Sequence, residues 1–156
     1  MGIMLSKKAK YALEACLALA RATPGVPVMI AEVAQAEGIP KKFLELILLD
    51  LKNGGLLHSK KGKGGGYMLA KPPRQITMGQ IIRLVEGPLA LVPCVSQTAY
   101  QKCEDCHDER LCGIRMVMRD VRDQTARILD NASLADVLER VAAEQSAAEG
   151  GFDYSI

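Results

Sequence analysis

The sequence predicts a mainly α-helical chain with a small β-hairpin wing: a winged helix-turn-helix domain followed by a long dimerisation helix. Three observations lead to this fold class. A short and a longer helical pattern flank the tight turn Gly38-Ile39-Pro40. A basic, glycine-rich hairpin follows at once, with its tip at residues 60–66. Apolar residues then recur at helical spacing over residues 113–130.

Length and composition are those of one domain, or of a small domain with an appended element. The chain has 156 residues, of which 49% are hydrophobic, and can bury an ordinary core. It contains no run of about 18 uninterrupted apolar residues, so we expect no membrane span. The lysines near the N-terminus precede an amphipathic stretch rather than the apolar core of a signal peptide. We therefore expect a cytoplasmic protein.

Charge is distributed unevenly along the chain. Residues 1–83 contain 13 Lys and Arg and 5 Asp and Glu, a net charge of +8, whereas residues 84–156 contain 7 and 13, a net charge of −6. The first half can therefore bind a polyanion, and the second half cannot easily do so. This asymmetry is typical of a nucleic-acid-binding module joined to another element, although chance clustering on solvated faces gives the same counts.

Periodicity, capping residues and turn residues divide the chain into elements. We predict helices over 6–22, 30–37, 41–52, 77–85, 113–130 and 133–145, and strands over 56–59 and 67–70. The expected regions are a winged helix-turn-helix domain over 1–86 with its wing at about 56–70, a cysteine-rich sensor loop over 87–112, a dimerisation helix and C-terminal helix over 113–147, and a frayed tail over 148–156.

The third helix is the predicted recognition helix of a DNA-binding module. A major groove admits an α-helix, and its base edges carry the sequence code. Lys41 and Lys42 can reach phosphate or guanine from the helix N-terminus. Glu45 can accept a hydrogen bond from cytosine N4, and Leu46 can contact a thymine methyl. The alternative for Leu46 and Leu49 is packing against another element.

The wing is expected to contact phosphates or the minor groove, because its lysines supply charge and its glycines allow close approach. The wing residues expected at DNA are Ser59, Lys60, Lys61, Lys63, Gly64, Gly65 and Tyr67. Glycine-rich loops also bind nucleotide phosphates, but this one lacks the Gly-Lys-Ser/Thr ending and following helix of a P-loop. A simple mobile turn is the other alternative.

Five cysteines are present, and four of them lie in the irregular segment. Cys16 falls on the apolar face of the first helix, where we expect a buried structural thiol. Cys94, Cys103, Cys106 and Cys112 have the spacing C-x8-C-x2-C-x5-C. Four thiols in one loop of a cytosolic protein favour a metal centre over disulfides.

The spacing alone leaves the identity of this centre open. An iron–sulfur cluster, 2Fe–2S or 4Fe–4S, is bound by thiolates and tolerates uneven spacing. Structural zinc usually has two paired Cys motifs, and this segment has one. Zinc and metal-free thiol redox switching are therefore the alternatives, and His107 is a further candidate ligand.

Several short stretches together form a recognisable pattern: Leu5-Ser6-Lys7 with Tyr11-Ala12, Ile39-Pro40 with Phe43-Leu44-Glu45, Leu48 with Leu51, Gly55-Leu56-Leu57 with Ser59, Gly64-Gly65-Gly66-Tyr67 with Leu69, and Val85-Glu86-Gly87-Pro88. In these stretches the sequence resembles the IscR/NsrR-type winged-helix regulators, over nearly its whole length. The run from the recognition helix through Gly-Gly-Gly-Tyr is specific to that family.

The resemblance implies a homodimer that binds a partly palindromic operator in double-stranded DNA. It implies that the helix over 113–130 packs against its mate, for which Ile114, Val117, Val121 and Ile128 supply an apolar stripe. The alternative for this stripe is an intramolecular core. In the family, a cluster bound by three cysteines tunes DNA affinity and reports iron–sulfur status, nitric oxide or redox state. Those three positions are occupied here by Cys94, Cys106 and Cys112.

The fourth ligand departs from the family pattern. Relatives take it from a histidine three residues after the last cysteine, or from an acidic residue in the first helix. The matching positions here are Arg115 and Lys10, which are not ligands, so the resemblance implies Cys103 as the substitute, with His107 as the other candidate. Some relatives lack a cluster, which keeps the thiol switch as an alternative.

We therefore predict a dimeric transcription regulator whose operator affinity is controlled by an iron–sulfur cluster. The rival interpretation is a metal-stabilised interaction module without sequence-specific DNA binding. No enzyme is expected, because cysteine together with His107 is the only constellation that would support one.

Overall fold

The computed structural model describes residues 4–151 and contains, in that range, six α-helices and one two-stranded antiparallel sheet. Three 3-10 turns, at Pro73–Gln75, Pro93–Val95 and Glu109–Leu111, lie between the helices. The bounds are α1 Lys7–Arg21, α2 Ile30–Glu37, α3 Lys41–Asn53, β1 Leu57–Lys60, β2 Gly66–Leu69, α4 Met78–Glu86, α5 Gly113–Asp130 and α6 Leu134–Gly150. The predicted fold class is confirmed.

Helices α2 and α3 form the helix-turn-helix, and Gly38 makes the turn possible. Its φ of +65° lies in the left-handed region that favours glycine, and its N–H donates to the carbonyl of Ala34. Pro40 follows with φ −56° and ends the turn directly before the first residue of α3. Four apolar residues of α3 then face the core and are completely buried: Leu44, Ile47, Leu48 and Leu51.

Strands β1 and β2 form the wing. Leu57 pairs with Leu69 at one end of the ladder and Lys60 pairs with Gly66 at the other. Each strand therefore extends one residue further into the predicted tip, which is left with residues 61–65. Val28 adds two backbone hydrogen bonds to Tyr67, of 2.8 and 2.9 Å, and these join the wing to the segment before α2.

The core lies around α1, which contacts α2, α3, α4, α6 and the wing. An isolated β-bridge between Thr77 and Ser133 ties the start of α4 to the start of α6. Both residues cap their helices through a capping box, as the spacing from Thr77 to Gln80 predicts for α4. Leu134 is completely buried, so α6 begins inside the same core.

Helix α6 is longer than the sequence predicts. It continues to Gly150, so residues 148–150 of the expected frayed tail are helical, and residues 152–156 lie outside the described part of the chain. The extension has a physical reason: Ala, Glu and Gln dominate residues 142–149, and these residue types have high helix propensity. Among the described residues, no helix is both long and apolar enough to cross a membrane.

Candidate nucleic-acid interface and cysteine site

The outer face of α3 is exposed, as a recognition helix requires. Lys41, Lys42 and Glu45 are all exposed. Leu46 is 60% exposed and Leu49 is 44% exposed, so neither packs into the core of its own chain. The alternative of internal packing for these two leucines is therefore wrong within the monomer, and both stay available to a partner molecule.

A cleft of about 610 Å³ separates this face of α3 from the wing. It brings together seven of the predicted DNA-contacting residues: Lys41, Glu45, Ser59, Lys60, Lys61, Gly65 and Tyr67. The other four predicted residues lie outside the lining of this cleft: Lys42 and Leu46 on α3, and Lys63 and Gly64 at the wing tip.

Lys52 also lines the cleft, although the sequence reasoning missed it. The signal was present: Glu45, Leu49 and Lys52 are spaced i, i+4 and i+7 and therefore share one face of α3. Met29 and Ile30 line the cleft from the start of α2 and were missed as well. The cleft therefore has basic groups on both of its walls.

Two glycines of the Gly-Gly-Gly-Tyr run are required by close backbone approaches. A Cβ atom on Gly66 would lie 2.1 Å from the carbonyl oxygen of Val28, and the φ of Gly66 is +152°. A Cβ atom on Gly65 would lie 2.2 Å from the carbonyl oxygen of Lys60. A larger residue at Gly66 would push the wing away from the segment before α2, and one at Gly65 would distort the tip of the wing.

An ion pair also positions α3 against the first helix. The Lys8 ammonium lies 2.7 Å from the Asp50 carboxylate, and both side chains are partly exposed. At the start of α1, the Ser6 hydroxyl accepts a hydrogen bond of 3.1 Å from the N–H of Ala9, and the N–H of Ser6 donates to Glu86 of α4. The orientation of the recognition helix thus depends on polar contacts as well as on the leucine core.

The four cysteines of the irregular segment line a single cavity of about 450 Å³. Cys94, Cys106 and Cys112 are half-buried and Cys103 is exposed. The pKa of Cys106 is raised by desolvation and then by the negative groups around it, Cys112, Glu109 and Cys103 in that order. His107 is exposed and does not line the cavity.

Backbone and side-chain contacts shape this segment. Cys112 is the N-cap of α5, and its sulfur accepts a hydrogen bond of 3.5 Å from the N–H of Arg115. The N–H of Cys106 donates to the carbonyl of Cys103, 3.2 Å away, which folds the C-x2-C pair into a turn. The hydroxyl of Tyr100 donates to Glu109, a contact across the loop that the sequence reasoning missed.

The donor set suits an iron–sulfur cluster or another thiophilic metal, since four of the candidate ligands that line the cavity are thiols and Asp105 adds one carboxylate. The four sulfur atoms line the same cavity, but they do not converge on one metal position. Within residues 4–151, no three Cys, His, Asp or Glu side chains converge closely enough to hold a metal ion.

The apolar stripe on α5 is exposed. Ile114 is 69% exposed, Val117 56%, Val121 38% and Ile128 64%, so these side chains do not form the intramolecular core that was their alternative. No residue of α5 is fully buried. The helix is joined to α4 by a bidentate ion pair between Arg83 and Asp130, the last residue of α5, with N–O distances of 2.5 and 2.9 Å.

Comparison with known proteins assigns this geometry to a family. The sequence profile of the Rrf2 family, described as an iron-dependent transcriptional regulator, matches residues 5–140. The chain belongs to the Rrf2 family. An Rrf2-like HTH-type transcriptional regulator of Rhodobacter capsulatus is 44% identical over 138 residues, which cover 86% of this chain and 92% of the relative.

Two solved Rrf2-family regulators have the same fold. CymR, the global cysteine regulator of B. subtilis, superposes with a TM-score of 0.73 at 29% identity and covers 89% of this chain and 98% of its own. The T. potens IscR gives a TM-score of 0.70 at 28% identity and covers 90% of each chain. The resemblance to IscR-type regulators is thereby confirmed. As an Rrf2-family protein, the chain is a DNA-binding, dimeric transcription regulator and not an enzyme.

Proposed function

We propose that this regulator senses iron–sulfur status, redox state or nitric oxide through a cluster bound by Cys94, Cys103, Cys106 and Cys112. The observation that supports it is the single cavity lined by all four thiols at the N-terminus of α5. The cluster would supply a redox-active and labile group there, and the four cysteines of one chain would hold it. Its nuclearity, 2Fe–2S or 4Fe–4S, depends on ligand geometry around the metal.

Operator binding is proposed to use the cleft between α3 and the wing. Glu45, Leu46 and Leu49 would contact base edges in the major groove, since their side chains are exposed on α3. The lysines on both walls would contact phosphates: Lys41, Lys42 and Lys52 from α3, and Lys60, Lys61 and Lys63 from the wing. Ser59, Gly64, Gly65 and Tyr67 would support these contacts through the backbone and hydroxyl groups of the wing.

The dimer is proposed to form through α5. Its exposed stripe of Ile114, Val117, Val121 and Ile128 falls on one side of the helix and would bury apolar surface against the same stripe of a second chain. Two recognition helices would then meet the two halves of a partly palindromic operator. Residues 87–112 would act as the sensor, because they lie in sequence between the DNA-binding part and α5.

A cluster can regulate binding only if the two states of the protein differ in their affinity for DNA. The geometry offers a route to such a difference. Cys112 is the cap of α5, and α5 in turn is paired to α4 through Arg83 and Asp130. Gain or loss of the cluster would therefore act on the helix that sets the spacing of the two recognition helices.

The cofactor is tested by anaerobic purification followed by visible absorption and by iron, sulfide and zinc analysis. We expect a coloured protein with iron and sulfide in stoichiometric amounts. A colourless protein with stoichiometric zinc, or with neither metal, would contradict the proposal. Those results would favour the second candidate, a thiol- or zinc-based regulator. The structural similarity to the cysteine regulator CymR supports that candidate.

The fourth ligand is tested with a matched pair of variants. We expect Cys103→Ala to change the spectrum and to lower the iron content, because Cys103 lines the cavity. His107→Ala should leave both unchanged, because His107 is exposed and outside the lining. The opposite pattern would make His107 the ligand.

A further inference from the structure

Two arginines of α5 hold the backbone at the first cysteine of the loop. The Nε of Arg115 donates to the carbonyl oxygen of Cys94, 3.3 Å away. The Nη1 of Arg122 donates to the carbonyl oxygen of Val95, the next residue, at 2.6 Å. Both contacts join residues more than twenty positions apart in the chain, so they are tertiary contacts and not consequences of local structure.

The two arginines lie on one face of α5, away from the apolar stripe. Positions seven apart on an α-helix differ by only about 20°, so Arg115 and Arg122 point the same way. The stripe that starts at Ile114 lies roughly 120° around the helix from them. One face of α5 therefore holds the loop while another is left free for a partner.

The segment that the arginines hold is itself packed against α5. Val95 is 1% exposed and the adjacent Ser96 is also buried, whereas the rest of the loop is at least partly accessible. The Arg122 side chain is only 17% exposed and is fixed from the other side by Asp123, at 2.5 Å. Hydrogen bonds from a charged donor are among the stronger polar contacts in proteins, and they gain strength where water is excluded.

The loop is thus attached to α5 at both of its ends. Cys94 is held through its carbonyl, and Cys112 is the N-cap of the helix. Cys103 and Cys106 lie in the stretch between these two attachments. Any rearrangement that draws the four sulfurs together must then move the middle of the loop against fixed ends, or move α5 itself.

We propose that Arg115 and Arg122 are positioning residues that transmit the state of the cysteine site to the dimer helix. This inference rests on the proposed function, in which the four thiols hold a cluster. In this role neither arginine is a cluster ligand or a DNA contact: Arg115 lines the cysteine cavity, but its Nε donates to the carbonyl of Cys94. They keep the backbone of Cys94 fixed to α5, so that gain or loss of the cluster shifts the helix and not only the loop.

The first test uses the metal-free protein and does not depend on the cluster. Arg115→Gln, Arg122→Gln and the double variant are compared with Arg119→Gln, which removes the same charge from an exposed position of the same helix. Hydrogen exchange is measured at the amides of Val95 and Ser96, which donate to Val92 and Pro93. We expect exchange to be about tenfold faster or more in the double variant, and unchanged in the control. Equal exchange in all proteins would overturn the inference.

The second test measures coupling. Affinity for a duplex selected from a random DNA pool is determined with and without the cluster, together with iron and sulfide content. We expect the arginine variants to keep the cluster while their ratio of the two affinities falls towards one. If the arginine variants keep the wild-type ratio of affinities, this inference is overturned while the proposed function stands. A wild-type ratio of one, or a wild-type protein without a cluster, would overturn the proposed function and this inference with it.

Discussion

The helix-turn-helix part and the cysteine loop are built on opposite principles. In α1 to α4 and the wing, completely buried apolar side chains from every helix meet in one core. In residues 87–112, only Val95 and Ser96 are buried, and a few polar contacts determine the shape. A well-packed DNA-binding region and a loosely packed cysteine loop, the proposed sensor, thus lie in one chain. We expect stability to depend mainly on the first region.

Thiol reactivity should show the largest contrast between the regions. Burial raises the pKa of Cys16 to about 12 from its ordinary value of 9.0, which lowers its thiolate fraction at neutral pH by roughly a thousandfold. In metal-free native protein we expect four cysteines per chain to react quickly with an alkylating reagent, and Cys16 only after unfolding. Mass spectrometry of the labelled peptides identifies each site. Fast labelling of Cys16 in the native state would show that the core opens as readily as the loop.

Stability should separate the regions next. Leu44→Ala removes a completely buried side chain from the core, and we expect it to lower the free energy of unfolding by about 2–5 kcal/mol. Cys103→Ala in the metal-free protein changes an exposed side chain and should cost less than about 0.5 kcal/mol. Denaturant unfolding at one fixed protein concentration measures both, because a dimer's stability depends on concentration. If both variants lose a similar free energy of unfolding, the two regions do not differ in their contribution to stability.

The wing gives a smaller effect with a functional consequence. Gly66→Ala places a Cβ atom against the carbonyl of Val28 in a backbone conformation that alanine rarely adopts. We expect a loss of about 1–3 kcal/mol of stability and weaker DNA binding at all salt concentrations. Gly150→Ala, at an open helical position, is the control and should be neutral or slightly stabilising. Normal DNA binding by Gly66→Ala would show that the wing position is not set by this contact.

The pair of Arg83 and Asp130, which joins α4 of the DNA-binding region to α5 beyond the cysteine loop, should have the smallest effect. Its hydrogen bond from Arg83 lowers the pKa of Asp130 below the ordinary carboxyl value. The stabilisation is therefore present above the pKa of the unfolded chain and is lost as pH falls through the lower folded value. At pH 7 we expect Asp130→Asn to cost at most about 1 kcal/mol, since the carboxylate is partly exposed, and nothing at strongly acidic pH. Unfolding curves across this range check the sign, and a difference that grows on acidification would contradict it.

The sequence predicts the DNA-binding region better than the cysteine loop, because local signals define the first and tertiary polar contacts shape the second. The helices and the wing follow from periodicity, Gly38 and the capping residue Thr77, which are local signals. The contacts of Arg115 and Arg122 with the carbonyls of the loop have no such signal, because any exposed arginine on α5 would look the same in the sequence. The exposure of Leu46 also required the structure, since an apolar residue outside the main stripe is compatible with two kinds of packing.

Control of DNA affinity by the cysteine loop is tested most directly by one titration. A single anaerobic preparation is bound to a duplex selected from a random pool, before and after its iron is removed. Regulation of ordinary strength predicts about a 5- to 150-fold difference in affinity between the two states, absent in Cys106→Ala. Equal affinity in both states of the wild-type protein, with the iron shown to be present and then gone, would contradict it.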